Sequence, residues 1–167
     1  MRSDTTGHRP QVLVSTVPFC EFDPRPLEWL SAVGADTVIN PLGRRLKEEE
    51  LAEMIGDFDY LIAGTEPVTA LVMQRAKRLR MIARVGVGLD SVDLAAARRN
   101  GIAVAYTPEA PAPAVAELTV GMMLDLLRHV GSADRGLRTG KWNRFMGRRI
   151  ADCTVGVIGV GRIGKRV

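Results

Sequence analysis

What most constrains this chain is a repeat: through its first hundred residues, short apolar, β-branched runs alternate with helix-like segments. The runs at 12–14, 37–39, 60–63, 81–84 and 102–105 begin about 20–25 residues apart. Between them, 24–33, 47–55, 70–78 and 93–99 read as helices. Gly34 and Gly101 stop the first and last of these. Glu48, Glu49 and Glu50 occupy the first turn of the second, where the helix dipole favours negative charge, and Thr69 stands as N-cap of the third. Strands this short, joined by helices at this spacing, predict a parallel sheet covered on both faces with right-handed crossovers. Five such units predict an α/β, flavodoxin-like doubly wound parallel-sheet domain over residues 1–106.

The rhythm breaks at Thr107-Pro108-Glu109-Ala110-Pro111-Ala112-Pro113. Proline cannot donate to a sheet ladder and keeps its predecessor extended, so this stretch predicts a stiff connector and a domain boundary. One long helix is expected over 114–138. Val115, Leu118, Met122 and Leu126 fall on one of its faces and Val120, Met123, Leu124 and Leu127 on another. A surface this apolar predicts burial on more than one side, with the Met122-Met123 pair as core packing.

Residues 154–158 read as a further strand, and Gly159-x-Gly161-x-x-Gly164 follows it directly. In a dinucleotide-binding loop the first glycine makes the turn out of the strand. The second lets the backbone approach a pyrophosphate, and the third lets the next helix, expected over 162–167, pack closely. The acidic residue that holds the ribose hydroxyls belongs about 20 residues further on, past Val167. Residues 107–167 are therefore expected to be the hinge, the long helix and the truncated start of a Rossmann domain.

The 46% apolar and 25% charged composition is that of a soluble globular chain. No apolar run reaches the roughly 18–20 residues of a membrane span, and the start, MRSDTTGHRP, lacks the apolar stretch of a secretory signal. Two cysteines, Cys20 and Cys153, are too few for a disulfide framework or a four-ligand zinc site, and free thiols in a reducing cytoplasm are expected. Charge is uneven: residues 1–134 sum to −4 and residues 135–167 to +8. Such a basic end can attract a polyanion, but only Trp142 and Phe145 interleave with its charges, too few for a stacking platform. Neither nucleic acid nor a membrane is an expected partner, and no metal cluster is apparent.

Several blocks, in order, resemble the NAD-dependent D-isomer-specific 2-hydroxyacid dehydrogenases of phosphoglycerate dehydrogenase type. Arg84-Val85-Gly86-Val87-Gly88-Leu89-Asp90-Ser91-Val92-Asp93-Leu94 is similar to the family's substrate loop. Ala97-Arg98-Arg99-Asn100-Gly101-Ile102-Ala103-Val104 is similar to the helix and strand that follow it. Thr107-Pro108 and Val115-Ala116-Glu117-Leu118-Thr119 resemble the interdomain hinge and long helix. Gly140-Lys141-Trp142 and the glycine motif complete the series. The resemblance implies a substrate domain, a nucleotide domain and an active site in the cleft between them. It implies NAD, with NADP not excluded, a 2-hydroxy or 2-oxo acid as substrate, and a homodimer. It places the substrate carboxylate on the backbone N–H groups of Val87 and Gly88, with Val87 also near the nicotinamide. Gly159, Gly161, Arg162, Ile163 and Gly164 would hold the cofactor, Arg162 and Ile163 through their amides. Gly86 and Gly88 are also readable as plain turn residues, Arg162 as a solvated helix residue, and Asp90 and Asp93 as loop and helix caps.

Two departures stand out. Some phosphoglycerate-specific members carry an arginine after the third strand, where this chain has Gly64, and many have Asn or Ser where it has Pro111-Ala112. The family's catalytic Arg, Glu and His would lie beyond Val167, so the 167-residue chain alone is expected to be inactive. His8 and His129 lack the family context and are expected to be exposed or structural. The alternative reading is a truncated, non-catalytic relative that binds a small molecule or a partner; a polyanion-binding module built on the basic end ranks behind it.

Overall fold

The computed structural model describes residues 8–167. The polar start read against a secretory signal lies mostly outside them. The described chain separates into two compact units, one ending at Pro108 and one running from Glu109 to Val167.

The first unit is a five-stranded parallel sheet. Its strands are β1 (Gln11–Val14), β2 (Asp36–Ile39), β3 (Tyr60–Ala63), β4 (Met81–Arg84) and β5 (Ala103–Tyr106), in the order β2-β1-β3-β4-β5. The helices are α1 (Arg25–Ala32), α2 (Glu48–Met54), α3 (Ala70–Arg75) and α4 (Leu94–Arg99). This is the flavodoxin-like doubly wound α/β arrangement expected from the repeat. The chain steps outward from β1 to β2, then back past β1 to β3, so right-handed crossovers put α1 on one face and α2, α3 and α4 on the other. That second face is the dry one: Leu51 and Ile55 from the α2 region, Val72 and Met73 from α3, and Ala96 and Ala97 from α4 pack with Leu13, Leu61 and Ile82 of the sheet. α1 has no buried residue, so the two faces are covered unequally. Each buried Leu or Ile here contributes roughly 1.5–3 kcal/mol through burial.

Local chemistry explains the helix ends. Asp93 caps α4 by accepting the Ala96 N–H at 2.8 Å, the capping role read for it. Glu50 of α2 accepts the Lys47 N–H at 2.8 Å and forms a two-bonded pair with Arg44, and Arg44 together with the Lys47 N–H holds the Glu50 carboxyl down to about 2. Thr69 stands where an N-cap was expected, but its hydroxyl donates to Glu48 instead, tying α3 to α2. At the amino edge of the sheet Asp59 is buried. Burial pushes its carboxyl up, but bonds from the Gln11 N–H, His8 and Arg78 outweigh this and hold it below the usual range. His8 is thereby a structural partner.

The second unit departs from three expectations. The single helix over 114–138 is two helices, α5 (Ala112–Arg128) and α6 (Val130–Arg138), broken at His129, whose φ of 55° is left-handed. The break is held by contacts that periodicity cannot register. The Asp125 carboxylate accepts the Gly131 N–H at 2.7 Å, and the returning chain gives the Arg148 N–H to the Leu127 carbonyl at 3.0 Å. Second, Met122 is 59% exposed and Leu126 74%, so within the described residues the Met122-Met123 pair is not core. Third, residues 154–158 form no strand and 162–167 no continuous helix. A strand exists by pairing, and no second strand is present among the described residues of this unit. Past the glycines, the Lys165 N–H bonds the Gly161 carbonyl, but the Arg166 and Val167 N–H groups both go to the Ile163 carbonyl, which makes a turn and not a helix. No helix among the described residues is long and apolar enough to cross a membrane, and both cysteines are free thiols.

Candidate functional site

In an open parallel sheet, ligands bind outside the carboxyl ends of the strands, at the point where strand order reverses. Here that point lies between β1 and β3. Ser15 and Thr16 leave β1 there, and Gly64, Thr65 and Glu66 leave β3. The loop carrying Val87 and Gly88 leaves β4, the next strand along.

The β4 loop is fixed from both sides. The Val85 N–H bonds the Ala63 carbonyl at 2.8 Å, extending the β3–β4 ladder by one step. The Gly86 N–H bonds Thr107 Oγ1 at 2.9 Å, and the Thr107 N–H returns to the Gly86 carbonyl at 3.0 Å. Gly86 has a φ of +141°, and a Cβ there would run into the Arg84 guanidinium. Side-chain residues cannot take this turn without strain. Immediately beyond it, the Val87 and Gly88 N–H groups have no acceptor among the described residues. Further on, the Val68–Val92 bridge joins the β3 loop to the β4 loop. Free backbone amides on a fixed loop are chemically able to receive an anion without disturbing the surrounding backbone bonds.

The β1 and β3 loops contribute a feature that sequence reading missed. Glu66 is 1% exposed; its Oε1 accepts the Gly64 N–H at 2.8 Å and the Ser15 hydroxyl. A Cβ on Gly64 would stand 2.5 Å from Thr16 Oγ1, so no side chain, arginine included, fits at this position without displacing Thr16. Asn40, at the end of β2, bonds the carbonyls of Ser15 and Arg44 and stiffens the same edge. The available sequence signal was an acid three residues past the apolar run 60–63 and directly before Pro67. Its burial follows from strand order, which the residue pattern alone does not display.

In the second unit the structure brings Gly159, Gly161, Arg162, Ile163 and Gly164 into one tight loop. Gly159 turns with a φ of +93°, and a Cβ on Gly164 would collide with the Gly159 carbonyl, so the first and third glycines close the loop on itself. Gly161 is different: its φ is ordinary and nothing lies within 4 Å of where its Cβ would be. The Arg162 and Ile163 N–H groups have no acceptor among the described residues. The Arg162 side chain is not free, because it pairs with Glu109, toward which Arg166 also reaches. His129 stacks at 5.5 Å against Phe145 and takes no part in this loop.

Comparison with known proteins bears on the family and the fold. Residues 16–159 match the family model described as the catalytic domain of D-isomer-specific 2-hydroxyacid dehydrogenases. The chain is 44% identical over 126 residues to D-3-phosphoglycerate dehydrogenase of Methanocaldococcus jannaschii, covering 73% of this chain and 24% of that one. It is 41% identical to hydroxypyruvate reductase of Thermotoga maritima, covering 73% and 41%. Among solved structures, NAD+-bound 3-phosphoglycerate dehydrogenase of Entamoeba histolytica superimposes with a TM-score of 0.76 at 28% identity, over 95% of this chain and 49% of that one. The chain thus spans half or less of each of these relatives. With a match that runs across most of its length, it belongs to the D-isomer-specific 2-hydroxyacid dehydrogenase family.

Proposed function

We propose that this chain carries the substrate-binding unit, and the opening of the nucleotide-binding unit, of a protein that interconverts a 2-hydroxy acid and a 2-oxo acid with NAD(H). The observation that carries this reading is the pair of acceptor-free amides at Val87 and Gly88, on a loop fixed by Ala63 and Thr107. They bind and orient the substrate carboxylate, and Val87 borders the nicotinamide. The glycine loop fits a dinucleotide: Gly161 leaves open the space a Cβ would fill, and the Arg162 and Ile163 amides are available for the pyrophosphate. When bound, the cofactor supplies hydride transfer at the carbon bearing the hydroxyl. The proton is moved by groups that the family resemblance places beyond Val167, and the 167-residue chain alone binds without turnover.

The protein works as a homodimer in the cytoplasm. Leu118, Met122 and Leu126 of α5 form an exposed apolar stripe suited to an isologous contact. Oxidation of NADH by the protein of the complete reading frame, with glyoxylate or hydroxypyruvate as acceptor, tests the activity. Absence of turnover with every short 2-oxo acid would overturn it in favour of a non-catalytic binding module, and a monomer by light scattering would remove the dimer.

A further inference from the structure

Glu66 is a carboxylate removed from water at the edge where the sheet binds its ligand. Such a group ordinarily has a cation beside it, because an uncompensated buried charge is costly. None of the ion pairs among the described residues involves Glu66. The guanidinium of Arg45 bonds the neighbouring Thr65 carbonyl, at 2.6 and 3.0 Å, and Arg84 bonds the Val85 carbonyl through one Nη while its buried Nε has no partner among the described residues; neither bonds Glu66. Both hydrogen bonds that Glu66 receives go to Oε1, from Ser15 at the end of β1 and from Gly64 at the end of β3. Oε2 receives none. The carboxylate therefore sits at the β1/β3 switch point, one strand over from the loop that carries Val87 and Gly88. Neighbouring parallel strands lie about 4.8 Å apart, the length scale of a three-carbon acid.

We propose that Glu66 determines specificity at this subsite: Oε2 accepts a hydroxyl on the third carbon of the substrate, and its charge turns away a phosphate in the same place. The substrate class is then a short, unphosphorylated 2-hydroxy acid. This rests on the reading of Val87 and Gly88 as the carboxylate seat. Gly64 contributes by leaving no side chain between Glu66 and the ligand.

The test is amide NMR of the 167-residue chain titrated with glycerate and with 3-phosphoglycerate. In the wild type, glycerate should shift the Val87, Gly88 and Gly64 amides, and 3-phosphoglycerate should bind at least about tenfold more weakly, as one buried like charge implies. Glu66→Gln keeps an acceptor for Ser15 and Gly64 but removes the charge. It should narrow the preference to less than about threefold, while glycerate still shifts Val87 and Gly88. Ser15→Ala, which leaves the charge, should retain the wild-type preference. An unaltered preference in Glu66→Gln overturns the role of Glu66 and leaves the carboxylate seat standing. Tighter binding of 3-phosphoglycerate to the wild type overturns it whether or not the variant folds, and assigns the phosphate to Arg45. If neither acid moves Val87 or Gly88, the seat itself is refuted and the proposal with it.

Discussion

The two glycine loops of this chain, 85–88 and 159–164, look alike in sequence and differ in what holds them. Each follows an apolar run, and each leaves two backbone N–H groups without an acceptor among the described residues. The first leaves a strand paired on both sides, and its bonds to Ala63 and Thr107 continue that ladder. The second follows a segment that has no strand partner among the described residues, with Ile158 fully exposed, and closes on its own Gly159 carbonyl. A glycine motif supplies amides and room; the sheet beside it supplies their fixed direction. Pre-organisation for a ligand belongs to the first loop through its neighbours and to the second only within the turn itself.

Breaking the first loop should have the largest effect. Gly86→Ala forces a side-chain residue to a φ of +141° against Arg84, and about 2–3 kcal/mol of unfolding free energy should be lost. Urea denaturation of wild type and variant measures this. A loss under about 0.5 kcal/mol would show that the first loop is as adaptable as the second.

Gly161→Ala probes the second loop at its one unstrained glycine. The space around it is open, so stability should change by less than about 0.5 kcal/mol. Affinity for NADH should fall roughly ten- to a hundredfold in the complete protein, as the pyrophosphate loses close backbone contacts. NADH fluorescence titration beside a thermal melt separates the effects. A lowered melt with unchanged affinity would make Gly161 structural, like Gly159 and Gly164.

The units should also differ in their response to acid. Asp59 is 3% exposed, and its carboxyl lies below the usual 3.8 in the folded state. Its contribution is therefore present above the unfolded pKa and is lost as pH falls through the lower folded value. The first unit should lose about 1–2 kcal/mol below about pH 4, and Asp59→Asn should remove that part of the pH dependence. The ion pairs of the second unit are exposed and should add little. Hydrogen exchange followed from pH 6 to pH 3 resolves the two, and equal acid sensitivity would count against the role of Asp59. The smallest effect should come from Glu109→Gln, which frees Arg162 from an exposed pair. It should cost less than about 0.5 kcal/mol in a thermal melt, and a larger loss would mean that the pair holds the second loop in place of a sheet.

Legible in the residues alone were the strand–helix alternation, the ends of β3 and β4 at the residues expected, the Asp93 cap and the positions of both glycine loops. These are local: apolar runs bounded by turn residues, and a carboxylate within reach of an N–H three residues on. Tertiary structure decided what depends on partners distant in the chain. The break at His129 is held by Asp125 and by Arg148, which returns from beyond α6. The run 154–158 is strand-like in composition, yet a strand is a relation between two segments, and no partner lies beside it among the described residues. Glu66 could be read from the sequence as a surface acid in a turn. Only the order β2-β1-β3-β4-β5 puts Ser15 against it and buries its charge. Propensity and capping act over three or four residues, whereas burial and pairing are settled by which strands become neighbours.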